Sequence, residues 1–257
     1  MNTTVVLMFG LLVAVSLAVI VFSQMREKAR IERARKVAAL ENGFNHSRRL
    51  FHEIPGHYLT PELKLLLLGR MEDVARKLNG FNTDKPVKAW LDEIEEHRQA
   101  VEAGADRHPT PSIDSKDKSA YIKDLLADLF KLIEYLHKSR QLSNAAAQRK
   151  LRHVLFLVHK THADLHIFQA RDFIRQNETR RAIHEYHLAM TELNKSRDNP
   201  VAAKTLETLR THIKELEAVA ADAGAQPSGE SQRRLDQQWD NFFEDDHSWK
   251  KKADYDD

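Results

Sequence analysis

Residues 121–136 read Tyr-Ile-Lys-Asp-Leu-Leu-Ala-Asp-Leu-Phe-Lys-Leu-Ile-Glu-Tyr-Leu. Tyr121, Ile122, Leu125, Leu126, Leu129, Phe130, Ile133 and Leu136 recur at three- and four-residue spacing, so they share one wide stripe of an α-helix. A stripe that wide has to be covered when the chain folds. The same period recurs along most of the sequence, and Leu, Ala, Glu, Lys and Arg are abundant while Gly (8) and Pro (7) are scarce. Such residues favour helix, and the fold class is therefore all-α.

Downstream of this stretch, Ser143-Asn144 caps another helix. Its apolar positions Leu151, Val154, Leu155, Val158, Leu165 and Phe168 carry it to about residue 176, long enough that a break near Lys160–His162 stays open. Further helices follow at about 178–195 and 200–221, the second opened by Pro200, whose missing N–H is harmless in a first turn. Upstream, Leu59-Thr60-Pro61-Glu62 is a helix start, with Thr as N-cap, Pro at the first helical position and an acid in the first turn. Leu63, Leu66, Leu67, Met71, Val74 and Leu78 mark its inner face, and Asn79-Gly80 stops it. Thr83-Asp84-Lys85-Pro86 starts a second helix, lined by Val87, Trp90, Leu91, Ile94 and Val101. The short connection makes these two an antiparallel hairpin.

Residues 5–22 carry no charge and, extended by Thr3, Thr4 and Ser23, reach the ~20 residues that cross a bilayer as a helix. No Lys or Arg precedes them. Behind them come Arg26, Lys28, Arg30, Arg33, Arg35 and Lys36 against only Glu27 and Glu32. By the positive-inside rule the following body lies in the cytoplasm, with the N-terminus outside, as in a single-pass protein of a bacterial inner membrane. The rival, a cleaved signal peptide, calls for a basic start, a shorter apolar run and a small-x-small cleavage site, and Val21-Phe22-Ser23 is a poor one. Residues 24–42 then continue as a charged stalk that Gly43 ends, with too few heptads to establish a coiled coil, so self-association stays open. With 40 basic and 38 acidic residues the net charge is only +2, which excludes polyanion binding by bulk charge.

From Ala163 to Ser196 the chain has Ala170, Phe173, Ala182, Tyr186 and Ala189. This 34-residue stretch, about an eighth of the chain, resembles one unit of the tetratricopeptide repeat. His166 stands at the usual Trp position, Gln169 at the usual Leu and Asn194 at the closing Pro, and no second copy follows at the same period. The resemblance implies two helices brought close by alanines, a capping helix at 200–221, and binding of a protein or peptide. The organisation expected is an anchor (1–23), a basic juxtamembrane helix (24–43), a helical hairpin region (44–103), a linker (104–118), a tetratricopeptide-like domain (119–221) and a tether with tail (222–257).

Fourteen histidines raise a metal reading. His159, His162 and His166 fall on one side of a helix, and His184 and His187 on one side of the next. If those helices faced each other, the imidazoles could hold Zn or Ni. The plainer reading makes them boundary residues of a helical hairpin. Glu134-x-x-His137 is one motif where a di-iron bundle needs two. In His52-Glu53-Ile54-Pro55-Gly56-His57 the spacing is one residue too long for a zinc-protease helix, and Pro-Gly breaks it. No cofactor or metal is therefore expected. The sequence has no Gly-rich phosphate loop, no cysteine and no Gly-x-Ser-x-Gly elbow, so the chain reads as non-enzymatic. Arg48, Arg49, Arg149, Lys150, Arg152, Arg180 and Arg181 form small basic clusters of the kind found on solvated helix faces.

Beyond Asp222 the composition turns to Gly, Pro, Ser and Gln, that of a flexible tether. Leu235, Trp239, Phe242 and Phe243 then follow i, i+4, i+7, i+8, with Trp249 beyond, in an otherwise polar, acidic segment. That spacing is how a helix presents anchors to a partner's groove, although the same residues could dock on the chain's own body. The function expected is a membrane-anchored adaptor whose tail recruits a protein partner. A membrane-bound metal-binding protein and a DNA-tethering protein are the alternatives.

Overall fold

In the computed structural model seven helices and no strand make up the described residues. These are residues 3–81, 84–105 and 113–222, of which 3–16, 18, 19, 221 and 222 are described in their backbone alone. The helices are α1 (Thr3–Glu53), α2 (Pro61–Asn79), α3 (Val87–Glu102), α4 (Lys116–Lys138), α5 (Asn144–Arg175), α6 (Thr179–Asn194) and α7 (Pro200–Asp222). They form two units, one from Met1–Phe51 and Lys64–Asp106, the other from His52–Leu63 and Arg107–Asp257. Among the described residues no helix is long and apolar enough to cross a membrane. Most of the apolar stretch 5–22 lies among those described in backbone alone.

In the first unit, α1 does not stop at Gly43 but runs on to Glu53. Phe44, Ser47, Leu50 and Phe51 share one buried face, and the packing of that face outweighs the ~1 kcal/mol that a mid-helix glycine costs. Phe44 stacks on Trp90 with ring centroids 4.3 Å apart and planes at 15°, Arg48 pairs with Glu93 at 2.9 Å, and Phe51 lies 5.2 Å from the His97 ring. Residue numbers climb together on both helices, so α3 runs parallel to α1. Helix α2 runs the other way, and Arg98 of α3 reaches back to Glu72 of α2, the register of the hairpin that the short connection implied. Leu67, Leu68, Met71, Val74, Ala75 and Leu78 fill the space from α2. A methyl group on Gly43 would meet nothing closer than Arg70 Nη2 at 3.9 Å. Gly43→Ala should therefore stabilise this unit by ~0.5–1 kcal/mol in denaturant titrations; a loss of stability would mean that α1 is not a regular helix here.

In the second unit, α4, α5, α6 and α7 pack each on the next in chain order. The caps follow the local chemistry. Ser115 Oγ accepts from Lys118 N (3.2 Å), so α4 begins at Lys116, inside the segment that reads as linker. Ser143 Oγ accepts from Ala146 N (3.3 Å), Thr60 Oγ1 from Leu63 N (3.4 Å), and Asn199 Oδ1 from Val201 N (2.9 Å). No break interrupts α5 at Lys160–His162. Lys160 pairs with Asp164 one turn on (2.9 Å), and the buried Thr161 hydroxyl donates to Leu157 O (2.8 Å), so the residues that looked like a breakpoint are tied into the helix. Helix α5 is thus 32 residues long, about 48 Å. The tetratricopeptide-like first helix is only its second half. The turn to α6 passes through Asn177 at φ 61°, a left-handed conformation that Asn tolerates.

Candidate functional site

Three places hold the residues that chemistry or recognition could use. The first is the exposed stem of α1. Arg26, Lys28, Arg30, Arg33, Arg35 and Lys36 are all exposed. Arg26 lies over the Phe22 ring, 4.8 Å from its centroid, one turn along the helix. Arg33 differs from the rest, because its guanidinium donates to the Phe81 carbonyl at the end of α2. Lys85, just past the same turn, pairs with Glu41 at 2.5 Å. Two side-chain bridges therefore strap the α2–α3 turn to α1.

The second is the seam between α5 and α6. Ala170, Ala182 and Ala189 are fully buried, and Tyr186 is 1% exposed, as the small–aromatic–small pattern implied. Phe173 is half-buried, with the Arg181 guanidinium 5.4 Å from its ring centroid. Along the edge of the seam His159 Nδ1 meets Ser196 Oγ at 2.7 Å, and His166 Nδ1 meets Glu185 Oε2 at 2.7 Å. Burial, assisted by Lys195, holds the His159 pKa below its ordinary value. Burial does the same to His162, against the opposing pull of Glu192. His184 and His187 lie on the exposed side of α6, away from these three. Among the described residues the five histidines do not bring ligating atoms together on a common point. His159 and His166 lie along the seam and His184 and His187 on the surface, and helical spacing alone could not show which way α6 turns. Because the alanines let the two backbones approach, Ala182→Leu should overpack the seam and cost ~1–3 kcal/mol. An unchanged melting temperature would show that the helices are not in close contact there.

The third place has no sequence signal. Tyr58 belongs to the segment between α1 and α2, and it is fully buried. Its hydroxyl donates to Asp164 Oδ2 on α5 at 2.6 Å, and Lys160 Nζ reaches both Asp164 oxygens at 2.9 and 3.0 Å. Burial, then the Asp164 charge, raise the phenol pKa well above its ordinary value. Tyr58 is therefore a fixed donor and not a base, and the Asp164 carboxylate is occupied by two partners. Tyr121 also donates to Glu53. Close by, Thr60, Pro61, Glu62, Leu63, Arg149, Lys150 and His153 line a cleft of about 330 Å³. Within it Lys150 pairs with Glu62 at 2.9 Å and lowers that carboxyl's pKa. Opposite charges are already paired there, so the arrangement docks the 52–63 segment onto α5. Residues 58 and 164 are too far apart in sequence for periodicity to connect them.

The expected anchors Leu235, Trp239, Phe242, Phe243 and Trp249 lie outside the described residues. Compared with protein-family models, with curated proteins and with solved structures, the chain matches none.

Proposed function

We propose that the chain is a non-enzymatic, single-pass membrane adaptor whose tail recruits a protein partner. One observation supports this reading best: α1 is a single uninterrupted helix with an uncharged sequence from Thr3 to Met25 at one end and the core of the first helical unit at the other. Residues 5–22 would extend for about 27 Å as a helix, close to the ~30 Å hydrocarbon thickness. The basic residues that follow would keep the body on the cytoplasmic side. Held at a surface, the tail residues Leu235, Trp239, Phe242, Phe243 and Trp249 would meet their partner at raised effective concentration. Burial of such side chains is worth ~1.5–3 kcal/mol each before ordering costs.

The test has two arms. Alkaline extraction of membranes should leave the chain in the pellet, and alkaline phosphatase fused after Asp257 should be inactive. An active fusion overturns the topology. Changing Trp239, Phe242 and Phe243 together to Ala should abolish partner recovery in pull-downs while leaving insertion and helical content intact. Unfolding of the body by the same change would make the tail an internal strut instead.

A further inference from the structure

We propose that Arg26, Lys28 and Arg30 form a collar that binds anionic phospholipid headgroups, while Arg33 is a structural latch for the first helical unit. The collar rests on α1 being the membrane anchor. Leu17 is 58% exposed, Phe22 59% and Met25 65%, with Ile20 and Val21 between them equally open, so an apolar collar on α1 ends where the cations begin. The Phe22–Arg26 pair straddles that boundary, its ring on the apolar side and its guanidinium one turn beyond. Such an amphipathic pair fixes the depth of a helix at an interface.

A second copy of the chain fits this stem poorly. Ile31 is the one large apolar side chain between Met25 and the buried segment that is strongly exposed. Either heptad register through Ile31 puts charge in the seam, Glu27 in one and Lys28 with Arg35 in the other. The cations also surround the helix. Lys28 projects roughly 200° from Arg26, and Arg30 roughly 40°, at 100° per residue. Charge on opposite sides suits an annulus of lipid better than a protein docked on one face.

Depth decides which cations take part. Measured along α1 from Phe22, Arg26, Lys28 and Arg30 lie ~6, ~9 and ~12 Å out. A headgroup layer is ~5–8 Å deep, and long side chains reach back toward it. Arg35 and Lys36 are ~20 Å out, where screening removes most of the surface potential. Arg33, ~16 Å out, already holds the Phe81 carbonyl. The first unit is thereby strapped to the stem just above the headgroups, with little free stalk between.

The full chain would be reconstituted into vesicles of equal parts phosphatidylcholine and phosphatidylglycerol carrying one or the other lipid spin-labelled. The immobilised fraction should favour phosphatidylglycerol several-fold at low salt and lose that preference at high salt. Replacing Arg26, Lys28 and Arg30 together by Gln should remove it, and the pair Arg35→Gln, Lys36→Gln should keep most of it. Arg33→Gln should keep the preference but raise the mobility of a nitroxide at Asp84→Cys, a unique label because the chain has no cysteine. Equal association of the two lipids with the unaltered chain overturns the collar. A loss in the Arg35/Lys36 variant as large as in the triple variant overturns the depth assignment. Arg33→Gln abolishing the preference would make Arg33 a lipid ligand and remove the latch. Alkaline extraction of the same vesicles reads the anchor separately, and release of the chain there overturns both the anchor and the collar.

Discussion

Phe44→Ala should destabilise the first helical unit by ~3–5 kcal/mol, the range for emptying a buried aromatic site. Phe44 is 1% exposed and stacked on Trp90, one residue past the glycine at which the sequence reads as a helix end. Removal of the ring deletes the stack on α3 and leaves a cavity in the buried face of α1. Denaturant titration followed by the near-ultraviolet signal of the tryptophans would measure it. A cost below ~1 kcal/mol would mean that α1 is not part of this core. The contact also has a mechanical consequence. Because α1 is one helix from the apolar stretch to Phe51, motion of its N-terminal half reaches the unit without an intervening hinge.

Acidification should begin to destabilise the α5–α7 region before the ordinary carboxylate range is reached. His212 on α7 is 2% exposed, lies edge-on to the Tyr186 ring at 4.9 Å, and has Glu215 at 3.7 Å. Burial, aided by the Arg171 charge, lowers its pKa from 6.5 to about 3. The sign follows directly. Below pH 6.5 the unfolded chain takes up a proton that the folded chain refuses until about 3, so this group's contribution is complete above 6.5 and is lost progressively as pH falls toward 3. At ~1.4 kcal/mol per pKa unit the loss amounts to a few kcal/mol. His159 and His162, lowered in the same direction, add to it. Melting temperature against pH should fall already between neutrality and 4.5, the ordinary Glu value, and His212→Leu should flatten that fall. A wild-type profile that is level over that interval would show that His212 is not held neutral in the core.

How far the sequence alone reached can be traced through particular residues. The periods at 121–136 and 63–78, the caps Thr60 and Ser143, and the prolines 61 and 200 are local signals, and each produced the helix that it announced. The buried alanines 170, 182 and 189 were legible only through the resemblance to a tetratricopeptide unit, since helical alanines such as Ala127 and Ala203 are exposed. Local signals did not decide the rest. Gly43 read as a helix end, and Lys160–His162 left a break open, because propensity sees only neighbours a few residues away, whereas Phe44, Phe51 and Thr161 are held by tertiary packing. The His166–Glu185 contact, the commitment of Arg33 to Phe81, and the Tyr58–Asp164 bond depend on residues 19 to 106 positions apart. Local patterns in the chain place most of the helices, and the charge and apolarity along them, but not the helical run of 44–53. Which helix covers each apolar face and which polar groups meet came from the packing, because contacts between residues far apart in sequence leave no trace in a local period.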